Sequence, residues 1–211
     1  MIETANPFTR EYFMDGVRTG LSNYENYTWK PKLTVPACRK MLNYLGAKMG
    51  DSVIDIGCSR GYYVKAMRAI GYKSFGYDIS QWAIENCDPE VRDVVSNSLP
   101  RRAFDWATLK DVCEHMEEEQ LQVTIDLLHR QISKGMLIIV PLATRTYGPY
   151  VRDDDEKDKT HILRWTLGDW IDVLERYAPD FNVNGSYHIH GIKPASSQVK
   201  HSCGFFTLLR P

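Results

Sequence analysis

The densest concentration of chemistry-bearing residues is Val53-Ile54-Asp55-Ile56-Gly57-Cys58-Ser59-Arg60-Gly61. A β-branched run stopped by glycine predicts a strand, a tight turn, and a helix from Gly61 to Ile70 with Gly71 at its end. In sheets built this way ligands bind beyond the carboxyl ends of the strands, where glycine lets the backbone come close. The next apolar run ends in Asp78. An acid about twenty residues after such a turn commonly takes the two hydroxyls of an adenosine ribose.

Three chemistries compete for this turn. A dinucleotide site asks for G-x-G-x-x-G, but Ser59 and Tyr62 occupy the second and third glycine positions, which works against pyrophosphate approach and close helix packing. Gly57-Cys58-Ser59-Arg60-Gly61 is also a literal G-x-S-x-G, which would make Ser59 a nucleophile, with His161, His188 or His190 as its base. That reading puts the elbow after the first strand, finds no HGGG-like oxyanion loop upstream, and leaves Asp55 without a role.

The third reading is a resemblance. VIDIGCSRG resembles the first motif of class I S-adenosylmethionine methyltransferases (hydrophobic-Asp-hydrophobic-Gly-Cys-Gly-x-Gly), with Ser59 at the middle glycine. Gly76 to Ser80 resembles the family's ribose-binding motif, and Ser98-Leu99-Pro100 its Leu-Pro step before the fourth strand. Leu109 to Met116 is similar to its "Glu-His" signature, and Thr160-His161-Ile162 to a step in ubiquinone-biosynthesis-like members with small-molecule acceptors. The motifs fall in order over the chain from Ala47 onward. The resemblance implies S-adenosylmethionine as cofactor and S-adenosylhomocysteine as product. It implies that Asp55 orients the loop and the methionine amino group, while Gly57, Cys58, Ser59 and Gly61 line the methionine and ribose. Asp78 would bind the ribose hydroxyls, Ile79 flank the adenine, Ser98 and Leu99 sit at the adenine edge, and Lys110 and Asp111 lie beneath the methionine end. Packing alone is the alternative for Cys58, Ile79 and Leu99.

Methyl transfer from a sulfonium is an in-line displacement from an activated donor, so the protein's main task is to hold acceptor and methyl about 3 to 3.5 Å apart and aligned. A general base helps a hydroxyl or ammonium acceptor; the candidates are His161, His115 and Asp111, with a packed, hydrogen-bonded role as the alternative for His115. The run Asp153-Asp154-Asp155-Glu156 reads as a solvated loop or as an attractor of cations. Phe8, Tyr12, Phe13, Tyr24, Tyr27 and Trp29 crowd the N-terminal segment, as a lid, as a cage for a cationic or aromatic acceptor, or as a seal on the domain edge. No residue spacing reads as a metal site. Lys110-Asp111-Val112-Cys113 stands where DNA amino-methyltransferases carry Asp/Asn-Pro-Pro-aromatic and cytosine-C5 enzymes carry Pro-Cys. A small-molecule acceptor is therefore expected; protein and RNA acceptors stay open, as does a non-catalytic cofactor-binding protein.

The elements that must position these residues alternate. Strands are predicted at Val53 to Gly57, Ser74 to Asp78, Arg92 to Ser96, Phe104 to Lys110 and Gly135 to Leu142. Helices are predicted between them, near Glu117 to Gln131 and near Leu167 to Tyr177. Ahead of them, Thr9 to Val17 and a helix begun by Pro36 under a Thr34 cap and running to about Lys48 are expected. Two final runs, about Asn182 to Ile189 and Gly204 to Leu209, suit an antiparallel pair. The expected fold is a doubly wound α/β domain: a mostly parallel seven-stranded sheet with helices on both faces and an antiparallel C-terminal pair. Residues 1–33 form an aromatic-rich cap segment and 34–211 the cofactor-binding domain. The 211 residues suffice for one core, and a net charge of −1 gives no general attraction to nucleic acid or anionic membrane. No apolar run approaches a membrane span. Five scattered cysteines without a C-x-x-C pair read as reduced thiols, hence a cytoplasmic protein.

Overall fold

Five strands run parallel: β1 (Ser52–Ile56), β2 (Lys73–Tyr77), β3 (Val95–Ser96), β4 (Phe104–Lys110) and β5 (Ile132–Pro141), with helical segments between β1 and β2, β2 and β3, and β4 and β5, and a helix-free loop from β3 to β4. The computed structural model describes residues 6–187, 191–192 and 201–211. Two more strands, β6 (Asn182–Ser186) and β7 (Cys203–Leu209), complete a seven-stranded sheet of order β3-β2-β1-β4-β5-β7-β6. β7 enters antiparallel between β5 and β6, which is the expected closing pair; the part of the predicted run from His188 to Ile189 lies outside the described residues. The order reverses between β1 and β4, so the carboxyl ends of these two strands flank the switch point where ligands bind in open α/β sheets.

Strand alternation sorts the core into two layers. Ile54 and Ile56 of β1, Leu109 of β4 and Ile138 and Val140 of β5 face helices α6 (Glu118–Gln131) and α7 (Leu167–Tyr177), burying Leu121, Ile125, Leu128, Trp170 and Leu174. Val53, Leu137, Ile139 and Phe205 face the opposite way, onto Cys38, Met41 and Leu42 of α3 (Pro31–Leu45) and Ala66 and Met67 of α4 (Tyr62–Ala69). Asp55 lies on the Val53 side of β1, at the strand's carboxyl end.

Several boundaries move. α3 begins at Pro31, which suits a first helical position, and ends at Leu45 under left-handed Gly46. Thr34 is therefore inside the helix, its hydroxyl donating to the Lys30 carbonyl at 3.0 Å, and Pro36 lies within the helix rather than at its start. The segment Thr9 to Val17 divides at Asp15 into α1 (Arg10–Met14) and α2 (Gly16–Thr19). β3 keeps only two residues, and β5 extends to Ile132. A short helix α5 (Gln81–Glu85) follows β2, its start capped by the Ser80 hydroxyl accepting from Ala83 N. Among the described residues no helix is long and apolar enough to cross a membrane.

α7 is begun by a reciprocal cap in which Thr166 Oγ1 accepts from Asp169 N and the Asp169 carboxylate accepts from Thr166 N. Thr166→Ala is expected to lower stability in urea unfolding by about 1 kcal/mol. Cofactor affinity should stay unchanged, because the side-chain hydrogen bonds of Thr166 and Asp169 reach only each other and Thr146, not the turn after β1.

Candidate active site

The turn after β1 is tied to the end of β2. The Gly57 and Cys58 amides both donate to the Tyr77 carbonyl, at 2.8 and 3.0 Å. Ser59 N then donates to Asp78 Oδ2 at 2.6 Å, while Asp78 Oδ1 accepts from Ser80 N at 2.8 Å. Gly57 and Ser59 both take left-handed backbone, with φ of 71° and 50°. At Gly57 a side chain is excluded twice over, by φ and because a Cβ would lie 2.3 Å from Val112. Ser59 shows why a glycine is usual at its own position: the left-handed conformation is kept, with a small polar residue bearing the strain.

A cavity opens over this turn. Its base is Asp55, Ile56, Gly57, Cys58, Ser59, Asp78 and Ile79, and its far wall is Lys110, Asp111, Val112 and His115. Asp55 is buried, with Thr108 Oγ1 donating to its Oδ1 at 2.6 Å. Burial pushes its carboxyl up to about 7, the Thr108 hydroxyl and Lys110 opposing and the Asp78 charge adding. Asp78 is raised by burial too, its two backbone amide bonds pulling it back. Lys110 is ion-paired with Asp111 and sits 5.6 Å over the Tyr63 ring. Burial works to lower its pKa, but the Asp111 carboxylate outweighs it and holds the ammonium well above its ordinary value. Among the described residues Ser59 Oγ is buried without a hydrogen-bond partner, and no described imidazole activates it. His188 and His190 lie outside the described residues.

The remaining wall is aromatic. Phe8, Tyr12, Phe13, Tyr24 and Tyr27 all face the cavity. They are anchored through the second-strand end: Ser80 Oγ donates to the Phe8 carbonyl, Phe13 stacks on Trp82 at 5.6 Å, and Arg60 donates to the Tyr27 carbonyl at 2.9 Å. Tyr12 Oη also donates to Asp158 Oδ2 at 2.8 Å. Asp158 Oδ1 accepts from Thr160 Oγ1 at 2.6 Å, and Thr160 Oγ1 lies 2.8 Å from His115 Nδ1. Desolvation and the neighbouring His161 hold His115 at about 4, and desolvation lowers His161 as well.

Most residues singled out in the sequence therefore converge. Gly61, Ser98, Leu99 and His161 stand outside the cavity lining. Gly61 caps α4 with φ of 78°, and a Cβ there would meet Val91 at 2.7 Å. Ser98 N bonds Ser96 Oγ, and Leu99 packs against the larger core layer. His161 lines an adjoining cavity that shares Tyr12, Tyr24, Lys110, Asp111 and His115 with the first. Cys58 both lines the cavity and packs with Val64, Cys87 and Val91; Ile79 is half-exposed at the mouth. The acidic run is not simply solvated. Glu156 pairs with Arg164 through both oxygens at 2.7 Å, Asp154 with Arg152 and Lys157, and Asp155 is buried. Sequence reasoning passed over Tyr63, Tyr77, Val112, Met116 and Gln120, which also line the cavity. Tyr77 lies within the Gly76 to Ser80 motif and Val112 and Met116 within the Leu109 to Met116 motif; Tyr63 and Gln120 carried no such signal.

A family model described as a methyltransferase domain matches residues 32–181. The chain belongs to that family. The ubiquinone biosynthesis O-methyltransferase, mitochondrial, of Schizosaccharomyces pombe is 25% identical over 74% of this chain and 68% of its own length. A SAM-dependent methyltransferase from Archaeoglobus fulgidus has the same fold, with a TM-score of 0.66 at 18% identity over 86% of this chain and 95% of its own. So does the 1,6-didemethyltoxoflavin-N1-methyltransferase of Burkholderia thailandensis, solved with bound 1,6-didemethyltoxoflavin and S-adenosylhomocysteine, with a TM-score of 0.61 at 15% identity over 86% of this chain and 79% of its own. The protein is an S-adenosylmethionine-dependent methyltransferase of the Rossmann-like α/β class. Its cavity suits that cofactor: a buried hydroxyl at Ser59 with no partner among the described residues, a carboxylate at Asp78 fixed by two amides, and a buried acid at Asp55 beside them.

Because the Asp55 carboxyl stands near 7 against an ordinary 3.8, this methyltransferase should bind a cationic ligand with a pH dependence. A role for ionised Asp55 in pairing with the ligand's ammonium group predicts that S-adenosylhomocysteine affinity rises about tenfold from pH 6 to pH 8. In Asp55→Asn titration calorimetry should give weak binding with no such slope. For the ligand-free protein the sign is opposite. A carboxyl raised on folding contributes stability at low pH that is lost as pH climbs from about 4 through 7.

Proposed function

We propose that this methyltransferase acts on a small-molecule acceptor seated beneath the N-terminal aromatic segment, with residues 6 to 30 as the roof of the acceptor chamber. The observation that carries this reading is the continuity of the cavity from Asp55 and Asp78 at one end to Tyr12, Tyr24, Asp111 and His115 at the other. A bound S-adenosylmethionine supplies an activated methyl group on a sulfonium. On the protein's side, Asp78 and Ser59 hold the ribose end, and Asp55 the methionine end. The aromatic side chains lining the cavity favour a flat or cationic acceptor and exclude water.

His115 is the group at that wall best placed to take a proton. Thr160 has one hydroxyl proton and gives it to Asp158, so Thr160 Oγ1 is left to accept from Nδ1–H of His115. The neutral ring then carries its lone pair on Nε2. Asp111 and His161 stand next to it in the adjoining cavity. The Schizosaccharomyces relative is named an O-methyltransferase and the Burkholderia enzyme an N1-methyltransferase; both names support a small acceptor without choosing between its atoms. All five cysteines are buried free thiols, which supports a reducing compartment, read here as the cytoplasm.

The test is calorimetric titration with S-adenosylhomocysteine against NAD as control, in the wild type and in Asp78→Ala. Selective binding of the first ligand, weakened at least tenfold by Asp78→Ala, is the expected result. A folded protein that ignores it, or an Asp78→Ala variant that binds normally, overturns the assignment. Labelling by an active-serine probe, lost in Ser59→Ala, would revive the hydrolase reading.

A further inference from the structure

We propose, on the methyltransferase reading, that the acceptor is an organic anion whose carboxylate or phosphate group is held by Lys30 and Lys32. The two lysines line a third cavity, formed where the N-terminal segment meets α3. It joins the cofactor cavity at Tyr24, Tyr27, Tyr63 and Lys110, which line both. Lys30 and Lys32 are exposed and do not face the cofactor cavity. An acceptor reaching from one cavity into the other therefore has its reacting end by the cofactor and its anionic end at the lysines, with the four shared residues between.

Charge divides the two spaces that adjoin the cofactor cavity. The one holding His161 is lined by five carboxylates, from Asp111 to Asp158, against Lys110 and Arg152. The third cavity has Lys30, Lys32 and Lys110 against Glu25 alone. The acids of the first are occupied: Asp111 pairs with Lys110, Asp154 with Arg152 and Lys157, and Asp158 accepts from Tyr12 and Thr160. A cationic acceptor would meet carboxylates already paired. Lys30 and Lys32, by contrast, make no ion pair and no side-chain hydrogen bond among the described residues. Of the flat and the cationic acceptors that the aromatic wall admits, these charges select the flat one with an anionic group.

The lysines also stand where the backbone repels them. Lys30 is the N-cap of α3 and Lys32 its second residue, with no acid in the first turn and no side-chain cap. A helix amino end carries roughly half a positive charge, so it opposes cations and favours an anion. Sequences break such local rules chiefly at functional sites. Tyr62 is an independent sign. It lines the third cavity, is only 5% exposed, and its hydroxyl has no hydrogen-bond partner among the described residues. Buried hydroxyls are ordinarily paired, and an anionic group in this cavity would accept from it. Burial raises the phenols of Tyr24, Tyr27 and Tyr63, so at the junction they too meet an acceptor oxygen as donors. Leu33, Ala37 and Ile192 offer apolar surface to the body of the molecule.

The experiment is calorimetry on the full chain, with and without saturating S-adenosylhomocysteine, using four probes of one shape: naphthoate, naphthyl phosphate, naphthamide and naphthylmethylamine. At least one anion should bind about tenfold tighter than the amide and the amine, as charge-assisted hydrogen bonds allow. The tighter of the two anions tells carboxylate from phosphate. A variant carrying Lys30→Gln and Lys32→Gln together should lose the preference while S-adenosylhomocysteine affinity stays within twofold. Lys30→Arg with Lys32→Arg should keep it. A protein that binds S-adenosylhomocysteine but treats the four probes alike, or prefers the amine, overturns the anion site alone. So does an anion preference that survives the double glutamine variant. A lysine-dependent anion preference without S-adenosylhomocysteine binding overturns the methyltransferase pocket and leaves the anion site standing.

Discussion

Everything at the working end of this molecule hangs from the carboxyl end of β2. The Tyr77 carbonyl and the Asp78 carboxylate receive three successive amides from the β1 turn. Asp78 also holds Ser80 N, and Ser80 in turn caps α5 and holds the Phe8 carbonyl. One short stretch thus shapes the cofactor turn and anchors the segment that covers it. Three hydrogen bonds to a buried turn, one of them charge-assisted, compensate for left-handed backbone at Gly57 and Ser59. Without them the chain would have little reason to hold a serine at a φ of 50°.

The charges in the cavity follow from the same constraint. Asp55 and Asp78 are both buried, and with no other compensation burying such groups is unfavourable. The protein meets the cost partly through Thr108 and the loop amides and partly by letting Asp55 keep its proton near neutrality. What remains is a site more stable with a cationic ligand than without one, which is the usual exchange of stability for function at a binding site. Lys110 is the counterweight. Paired with Asp111 and set over Tyr63, it keeps the far wall from becoming a purely acidic hole.

The sequence makes the sheet legible because short β-branched and apolar stretches alternate with helical ones, with one continuous apolar run from Gly135 to Leu142, and α7 because its apolar stripe is flanked by a capping threonine. Pro31 and Pro36 could each begin a helix, and local sequence does not say which does; the helix starts at Pro31 and carries Pro36 within it. Asp55 and Asp78 were visible because a strand-turn-helix with an acid on the next strand is a local pattern. The partnership of His115 with His161 was not, because it is made by a loop returning some forty-five residues later, through bonds to a backbone carbonyl that no side-chain pattern records. The aromatic residues before Trp29 were conspicuous as a composition, yet their common target, the space above Asp78, depends on two hydrogen bonds to strand-end residues far along the chain.

The aromatic segment and the histidine pair are in fact one construction. Tyr12 belongs to both: its ring packs on Phe8, Phe13 and Tyr24, and its hydroxyl closes the Asp158-Thr160-His115 chain. Burial raises the Tyr12 phenol far above its ordinary pKa, so the hydroxyl remains a donor and Asp158 remains an acceptor over the whole working pH range. The orientation of His115 is therefore set from the roof of the cavity as well as from its wall. Loss of the roof would free Asp158 Oδ2, loosen Thr160, and let the imidazole turn. The segment that roofs the cavity thus also fixes the orientation of His115 on its wall, and neither role can be separated from the other by a change in Tyr12.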